Sequence, residues 1–91
     1  MRSYEEKLSI LEQTSLPRIL VYLLKGSVSQ TDLNNDISAS QAATYRALDM
    51  LQEHGFIIIS LPSGFTRRKD IALTDKGKRL AEALQQLEEL L

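Results

Sequence analysis

The 91-residue sequence contains no cysteine and a single histidine. Without cysteine, the chain has neither a disulfide framework nor a thiolate metal site. The lone histidine, His54, would need metal-binding partners that the chain does not offer, so we expect no metal and no other cofactor. His54 lies near the end of a predicted helix, where a cation is favourable, and we interpret it as structural.

Long hydrophobic runs are also absent. The longest ones, such as residues 19–24, are far shorter than the ~20 apolar residues that a membrane-spanning helix needs. The first residues, MRSYEE, lack the apolar core of a signal peptide. We therefore expect a cytoplasmic protein with no membrane partner.

The sequence lacks the residue groups that most active sites need. It has no Gly-rich phosphate loop, no Ser/His/Asp or cysteine arrangement and no clustered carboxylate pair, so we expect no enzymatic activity. Its composition, 43% hydrophobic and 25% charged residues, is that of an ordinary globular protein. At this length, residues 1–91 are predicted to form a single domain.

The best delimited element is a helix over residues 40–54. Ser40 can cap its first turn, although Ser38 is a competing start, and Gly55 can take the left-handed conformation that closes the last turn. Apolar spacing predicts an inward side, with Thr44 at its edge, and an outward side that is polar. The inward residues are Ala43, Ala47, Leu48 and Leu51, and the outward residues are Gln41, Ala42, Tyr45, Arg46 and Asp49.

The outward side chains suit contact with DNA. Arg46 can bind a guanine edge or a phosphate, Tyr45 a phosphate, Gln41 an adenine, and Ala42 the thymine methyl group. The alternatives are a solvated Arg46, a Tyr45 that packs on the surface of the domain, and an ordinary helix start at Gln41 and Ala42. Caps or first-turn residues of helices can also lie beside phosphates, because helix N-termini bind anions; these candidates are Ser29, Thr31 and Ser40.

Other helices and a β-hairpin surround this element. A strand-like, β-branched pattern at residues 56–59 and 69–73 predicts the hairpin, with a long loop between the two strands. Lys25 to Val28 form a turn that can include a very short strand. The predicted helices are Tyr4–Gln13, Leu16–Leu24, a short helix capped by Ser29, the helix over 40–54, and a last helix capped by Thr74.

Three motifs carry a resemblance to MarR- and PadR-type transcription regulators. They are Gln30-Thr31-Asp32-Leu33, then Ser40-x-x-x-Thr44-Tyr45-Arg46-x-Leu48-x-x-Leu51-x-x-x-Gly55-Phe56-Ile57, then Arg67-Arg68-Lys69-x-Ile71-x-Leu73-Thr74-x-x-Gly77. The resemblance spans roughly residues 16–84. It implies a mainly α fold with a small β-hairpin (α+β), a winged helix-turn-helix with flanking terminal helices.

The same resemblance implies a regulator that binds double-stranded DNA, usually as a homodimer. The helix over 40–54 would enter the major groove, and the wing at about 60–70 would approach the minor groove or the backbone. Arg67, Arg68 and Lys69 form the densest basic cluster of the wing, although one of them can instead pair with Asp70. Residues 40–79 hold seven basic and four acidic residues, whereas the whole chain has net charge −1.

The last helix carries more leucine than a monomer of this size needs to bury. Its leucines repeat at spacings of four and three residues, like a coiled-coil seam. We expect a homodimer through residues 74–91 with help from residues 1–14, which would place two recognition helices ~34 Å apart. The expected interface residues are Tyr4, Leu8, Leu11, Leu80, Leu84, Leu87 and Leu91.

A second hypothesis is a winged helix that serves as a protein–protein adaptor without direct DNA binding. The negative net charge, the uncharged Leu61-Pro62 and the aromatic Phe65 favour it. Lys76, Lys78 and Arg79 are interpreted as a solvated face.

Overall fold

The order of helices and strands is that of a winged helix-turn-helix, as the sequence predicts. The structure, a computed structural model, describes residues 8–13, 15–60 and 69–91. These residues form four α-helices and one three-stranded antiparallel sheet. The elements are α1 (Leu16–Tyr22), β1 (Val28–Ser29), α2 (Gln30–Asp36), α3 (Gln41–Glu53), β2 (Ile57–Ser60), β3 (Asp70–Leu73) and α4 (Asp75–Leu90).

The predicted hairpin is confirmed, and it gains a third strand. β2 pairs with β3 from Ile57 opposite Leu73 to Ser60 opposite Asp70. The short β1 pairs with the other side of β3, so the strand order is β1-β3-β2. β1 thereby ties the start of α2 to the base of the wing. The wing tip, with Arg67 and Arg68, lies outside the described residues, and so does Tyr4.

Two segments that were predicted as helices end in a 3₁₀ turn. The segment predicted as Tyr4–Gln13 ends in a 3₁₀ turn at Ile10–Glu12. α1 also passes into a 3₁₀ turn, Leu23–Lys25, so the predicted helix Leu16–Leu24 changes its geometry in the last turn. None of the helices within residues 8–13, 15–60 and 69–91 is long and apolar enough to cross a membrane.

The hydrophobic core is centred on α1, which contacts both α3 and α4. Three α1 side chains, Leu16, Ile19 and Leu20, are completely buried. They pack in one cluster with buried side chains of the other helices and of the sheet. Burial of each such side chain stabilises the fold by about 1.5–3 kcal/mol. The partners include Leu33 of α2, Leu48 and Leu51 of α3, Ile57 of β2, Ile71 of β3 and Ala81 of α4.

An arginine fixes the turn between α2 and α3. Arg18 donates through Nη2 to Oγ of Ser15 at 3.0 Å and through Nη1 to the carbonyl oxygen of Ser38 at 3.4 Å. Ser15 is buried and has a φ of 70°, a left-handed conformation that is uncommon for serine. These bonds attach the start of α1 to the segment that leads into α3.

The C-terminal end of α3 is attached to the start of α4. Gly55 ends α3 with a φ of +77°, which confirms the predicted closing glycine. Thr74 caps α4 by accepting from the Gly77 amide at 3.0 Å, and its hydroxyl donates to the Gly55 carbonyl at 2.7 Å. One side chain therefore begins α4 and holds the end of α3.

Replacing Thr74 with alanine removes both of these hydrogen bonds. We expect the free energy of unfolding to fall by about 1–2 kcal/mol, the usual cost of removing a threonine cap. Urea denaturation followed by circular dichroism measures this change. Thr74→Ser keeps the hydroxyl and is the matched control; equal destabilisation of both variants would contradict the assignment.

Candidate nucleic-acid interface

α3 begins at Gln41, directly after its cap residue Ser40. The Ser40 hydroxyl oxygen accepts from the Ala43 amide at 3.1 Å, so α3 starts after Ser40 and not after the competing Ser38. Thr44 is buried and donates to the Ser40 carbonyl oxygen at 3.1 Å, which secures the first turn from inside. The N-terminal turn of α3 is therefore rigidly anchored to the core.

The predicted division of α3 into two sides is confirmed. Its buried residues are Ala43, Thr44, Ala47, Leu48 and Leu51. The opposite side is open to solvent and carries Gln41, Ala42, Tyr45, Arg46 and Asp49. Tyr45 is 42% exposed, and its hydroxyl oxygen accepts from Nε2 of Gln41 at 2.9 Å. The Arg46 guanidinium is exposed and makes no hydrogen bond or ion pair with any residue that the structure describes.

The α2 residues divide into one cap and one surface residue. Ser29 is 5% exposed, and its hydroxyl oxygen accepts from the Asp32 amide at 3.1 Å. Its side chain is thus a helix cap and not part of the exposed surface. Thr31 is exposed and shares with Gln41 a groove between α2 and α3. Thr31 therefore borders the outward side of α3.

A second groove separates α3 from the base of the wing. Tyr45, Asp49 and Gln52 line it from α3, and Ile59 and Lys69 line it from the sheet side. The Lys69 carbonyl oxygen also accepts from the Gln30 amide at 2.9 Å. Of the predicted basic cluster, Lys69 is exposed and lines the same groove as Tyr45, while Arg67 and Arg68 lie outside the described residues.

Lys76 has a structural role that the sequence interpretation missed. Its Nζ donates to the carbonyl oxygen of His54 at 2.8 Å and lies 4.6 Å from the centre of the Phe56 ring. The His54 ring stacks on Phe56 at 6.4 Å. The ammonium thus neutralises the negative C-terminal end of α3. Its position in the first turn of α4 carries no local signal for this contact.

Three polar side chains, Tyr22, Lys25 and Asp36, link the end of α2 to the end of α1. The Tyr22 hydroxyl donates to a carboxylate oxygen of Asp36, and Nζ of Lys25 lies 3.9 Å from the same oxygen. Lys25 also lies over the Tyr22 ring at 3.9 Å. The pKa of Lys25 is raised, chiefly by its hydrogen bond with Tyr22 and further by the negative charge of Asp36.

The predicted interface leucines remain partly uncovered. Leu8, Leu11 and Leu80 line an apolar groove of about 670 Å³ between the N-terminal segment, α3 and α4. Leu84, Leu87 and Leu91 line a second apolar groove between α4 and α1. Leu87 is 51% exposed and Leu91 is 97% exposed. The row of leucines along α4, here called the α4 seam (Leu80, Leu84, Leu87 and Leu91), is therefore exposed at its C-terminal end.

Solved structures of MarR-family regulators have the same fold. A protein from Porphyromonas gingivalis W83 assigned to the MarR family of transcriptional regulators aligns with a TM-score of 0.84 at 15% identity, covering 94% of this chain and 85% of its own. The adhesin competence repressor AdcR from Streptococcus pyogenes gives 0.76 at 21% identity, covering 97% of this chain and 75% of AdcR.

A ZitR mutant from Lactococcus lactis gives a TM-score of 0.74 at 25% identity over 84% of this chain. The chain spans only 52% of that ZitR chain. No protein-family model matches the sequence, and no curated protein matches it. The structural neighbours thus establish the winged-helix fold of MarR-type regulators.

Proposed function

We propose that this protein is a transcription regulator that binds double-stranded DNA sequence-specifically as a homodimer. One observation carries the proposal: the core closes one side of α3, and the fold leaves the side with Gln41, Tyr45 and Arg46 open. An exposed amide, phenol and guanidinium on one helix side match the groups of base edges and phosphates. The regulators among the structural neighbours support the same class of function.

In this proposal the first two turns of α3 enter the major groove. Arg46 binds a guanine edge or a phosphate, while Gln41 and Ala42 face the bases, because the N-terminal residues of a recognition helix come closest to them. Thr31 and Lys69 border this helix on its two sides and would bind flanking phosphates. Arg67 and Arg68 of the wing would approach the minor groove.

The dimer would use the exposed leucine seam of α4. Leu87 and Leu91 leave apolar surface in solvent that a second copy would cover. A two-fold axis along this seam would present two copies of α3 to successive major grooves, ~34 Å apart. Residues 1–91 would then act as one DNA-binding domain whose ends, 1–14 and 74–91, form the dimer.

Replacing Arg46 with alanine tests the groove assignment. We expect affinity for a selected duplex to fall about tenfold or more, because a bidentate guanine contact contributes ~1–3 kcal/mol. If Arg46 binds a phosphate instead, affinity falls for every sequence and the magnitude of the slope of log affinity against log salt decreases by about two, one for each subunit of the dimer. Fluorescence anisotropy titrations at several salt concentrations measure both quantities.

Arg79→Ala is the matched control for this experiment. Arg79 is exposed on α4, so the control removes the same charge from the chain without touching α3. The control should bind as tightly as the parent. Equal binding by the parent and Arg46→Ala would contradict the assignment of α3. If the parent at micromolar concentration shifts no genomic fragment at low salt, the adaptor hypothesis replaces this proposal.

A further inference from the structure

The exposed side of α3 contains one side-chain hydrogen bond that the core does not require. Nε2 of Gln41 donates to the hydroxyl oxygen of Tyr45 at 2.9 Å, across one turn of the helix. Both side chains are exposed, so water could satisfy each of them equally well. Their neighbours Ala43 and Thr44 are buried, which holds the backbone beneath the pair in place.

The bond restricts what Gln41 presents to a DNA groove. A primary amide has one carbonyl oxygen and two hydrogens on its nitrogen. Once Tyr45 accepts one of those hydrogens, the amide presents the other hydrogen and the oxygen. Adenine offers N7 as an acceptor and the N6 amino group as a donor, whereas guanine offers two acceptors on the same edge. The remaining donor and acceptor of Gln41 therefore match adenine.

Pre-orientation matters because the terminal amide of a free glutamine rotates broadly. That torsion has no sharp staggered wells, and immobilising the side chain on binding costs conformational entropy. The hydrogen bond with the Tyr45 hydroxyl restricts the Gln41 side chain before DNA binds, so less conformational entropy is lost on binding. The hydroxyl's own hydrogen is not used in the bond with Gln41, so the phenol can still donate to a phosphate oxygen.

We propose that Tyr45 positions Gln41 to recognise an adenine in each half-site of the DNA target. This inference rests on the proposed DNA-binding function and goes further, since it names the base, the residue that recognises it and the residue that orients that one. Gln41 is the specificity-determining residue, and Tyr45 acts through it. Ala42, which is exposed and small, leaves room for the helix to approach the bases.

The test is selection of bound duplexes from a random library, followed by affinity measurements on single-base variants of the selected site. For the parent we expect one position per half-site at which adenine is preferred about tenfold or more over guanine. Gln41→Ala should abolish this preference. Tyr45→Phe keeps the ring, removes the hydroxyl and should reduce the adenine preference by about threefold or more.

The ratio of affinities for adenine and guanine is the decisive quantity. If the Tyr45 hydroxyl also binds a phosphate, its removal weakens binding to every duplex alike, and this effect cancels in the ratio. In the Gln41→Ala background, Tyr45→Phe should leave the ratio unchanged, because the residue that it orients is gone. If Tyr45 acts by orienting Gln41, the effect of Tyr45→Phe on the ratio requires Gln41. If the two residues bind the base independently, the effect of Tyr45→Phe does not require Gln41.

Tyr22→Phe is the matched control, because it also removes a tyrosine hydroxyl that bonds to a side chain, here Asp36 on α2. Its base preference should equal that of the parent. An adenine preference that is absent in the parent, or that is as large in Tyr45→Phe as in the parent, overturns the inference while leaving DNA binding in place. If the parent binds no duplex at low salt, the proposed function itself fails and the inference fails with it.

Discussion

Replacing Gly77 with alanine is expected to destabilise the protein by about 3 kcal/mol, the upper part of the usual range for overpacking. A β-carbon at this position would lie 1.9 Å from the carbonyl oxygen of Phe56 and 2.9 Å from its carbonyl carbon. The Phe56 carbonyl has little freedom to retreat, because its oxygen accepts from the Thr74 amide at 3.0 Å. The first turn of α4 would have to move away from the end of α3.

Helix propensity alone predicts the opposite sign. Within a helix, alanine is favoured over glycine by about 1 kcal/mol. Because the β-carbon would meet backbone atoms and not the end of a flexible side chain, the steric cost exceeds this gain. The sign of the change therefore distinguishes a close approach of two backbones from an ordinary helical position.

Thermal denaturation measures this effect directly. A destabilisation of about 3 kcal/mol lowers the Tm of a domain of this size by roughly 12–24 °C. Lys78→Ala is the control, because residue 78 is exposed on the next position of α4. The control should melt close to the parent. A Gly77→Ala variant that melts at or above the parent temperature would contradict the close approach of α4 to Phe56.

Introducing glutamate at both Leu87 and Leu91 is expected to convert the proposed dimer into monomers of 10.3 kDa. Two leucines from each of two copies would no longer bury apolar surface, and each buried leucine contributes at least ~1.5 kcal/mol. The dimer dissociation constant should therefore rise about a thousandfold or more. The introduced carboxylates would also repel each other across the two-fold axis.

Sedimentation equilibrium across a range of protein concentrations measures the dissociation constant. The DNA affinity of the double variant should fall about a hundredfold or more, because each half-site then binds without the other. The control is Gln86→Glu, which adds a carboxylate to an exposed position of the same helix. A double variant that remains dimeric, or a parent that is monomeric at every concentration, would contradict the α4 seam as the interface.

The helix ends could be predicted because their signals are local. Ser40 and Thr74 each accept from an amide three residues later, and Gly55 takes a positive φ at the end of α3. A cap and the amide that it satisfies lie within one turn, so the pattern is visible in a short stretch of sequence. The outward position of Tyr45 and Arg46 followed from helical spacing for the same reason.

The unexpected interactions join residues far apart in the chain. The reason for glycine at position 77 is the carbonyl group of Phe56, and Lys76 bonds to the carbonyl oxygen of His54. β1 becomes a strand because Val28 pairs with Ile71. Ser29 was predicted as a cap that could also lie beside a phosphate; the structure has the cap bond, but the packing of β1 buries the residue.

The sequence by itself determined the main helices, the two strands of the hairpin and which side of α3 is polar, because capping and periodicity act within one or two turns. The tertiary structure decided which polar groups stay open to solvent and which pair with each other as Gln41 and Tyr45 do. Burial and close approach depend on elements packed from distant parts of the chain, and the rotamers of exposed side chains depend on their neighbours in space.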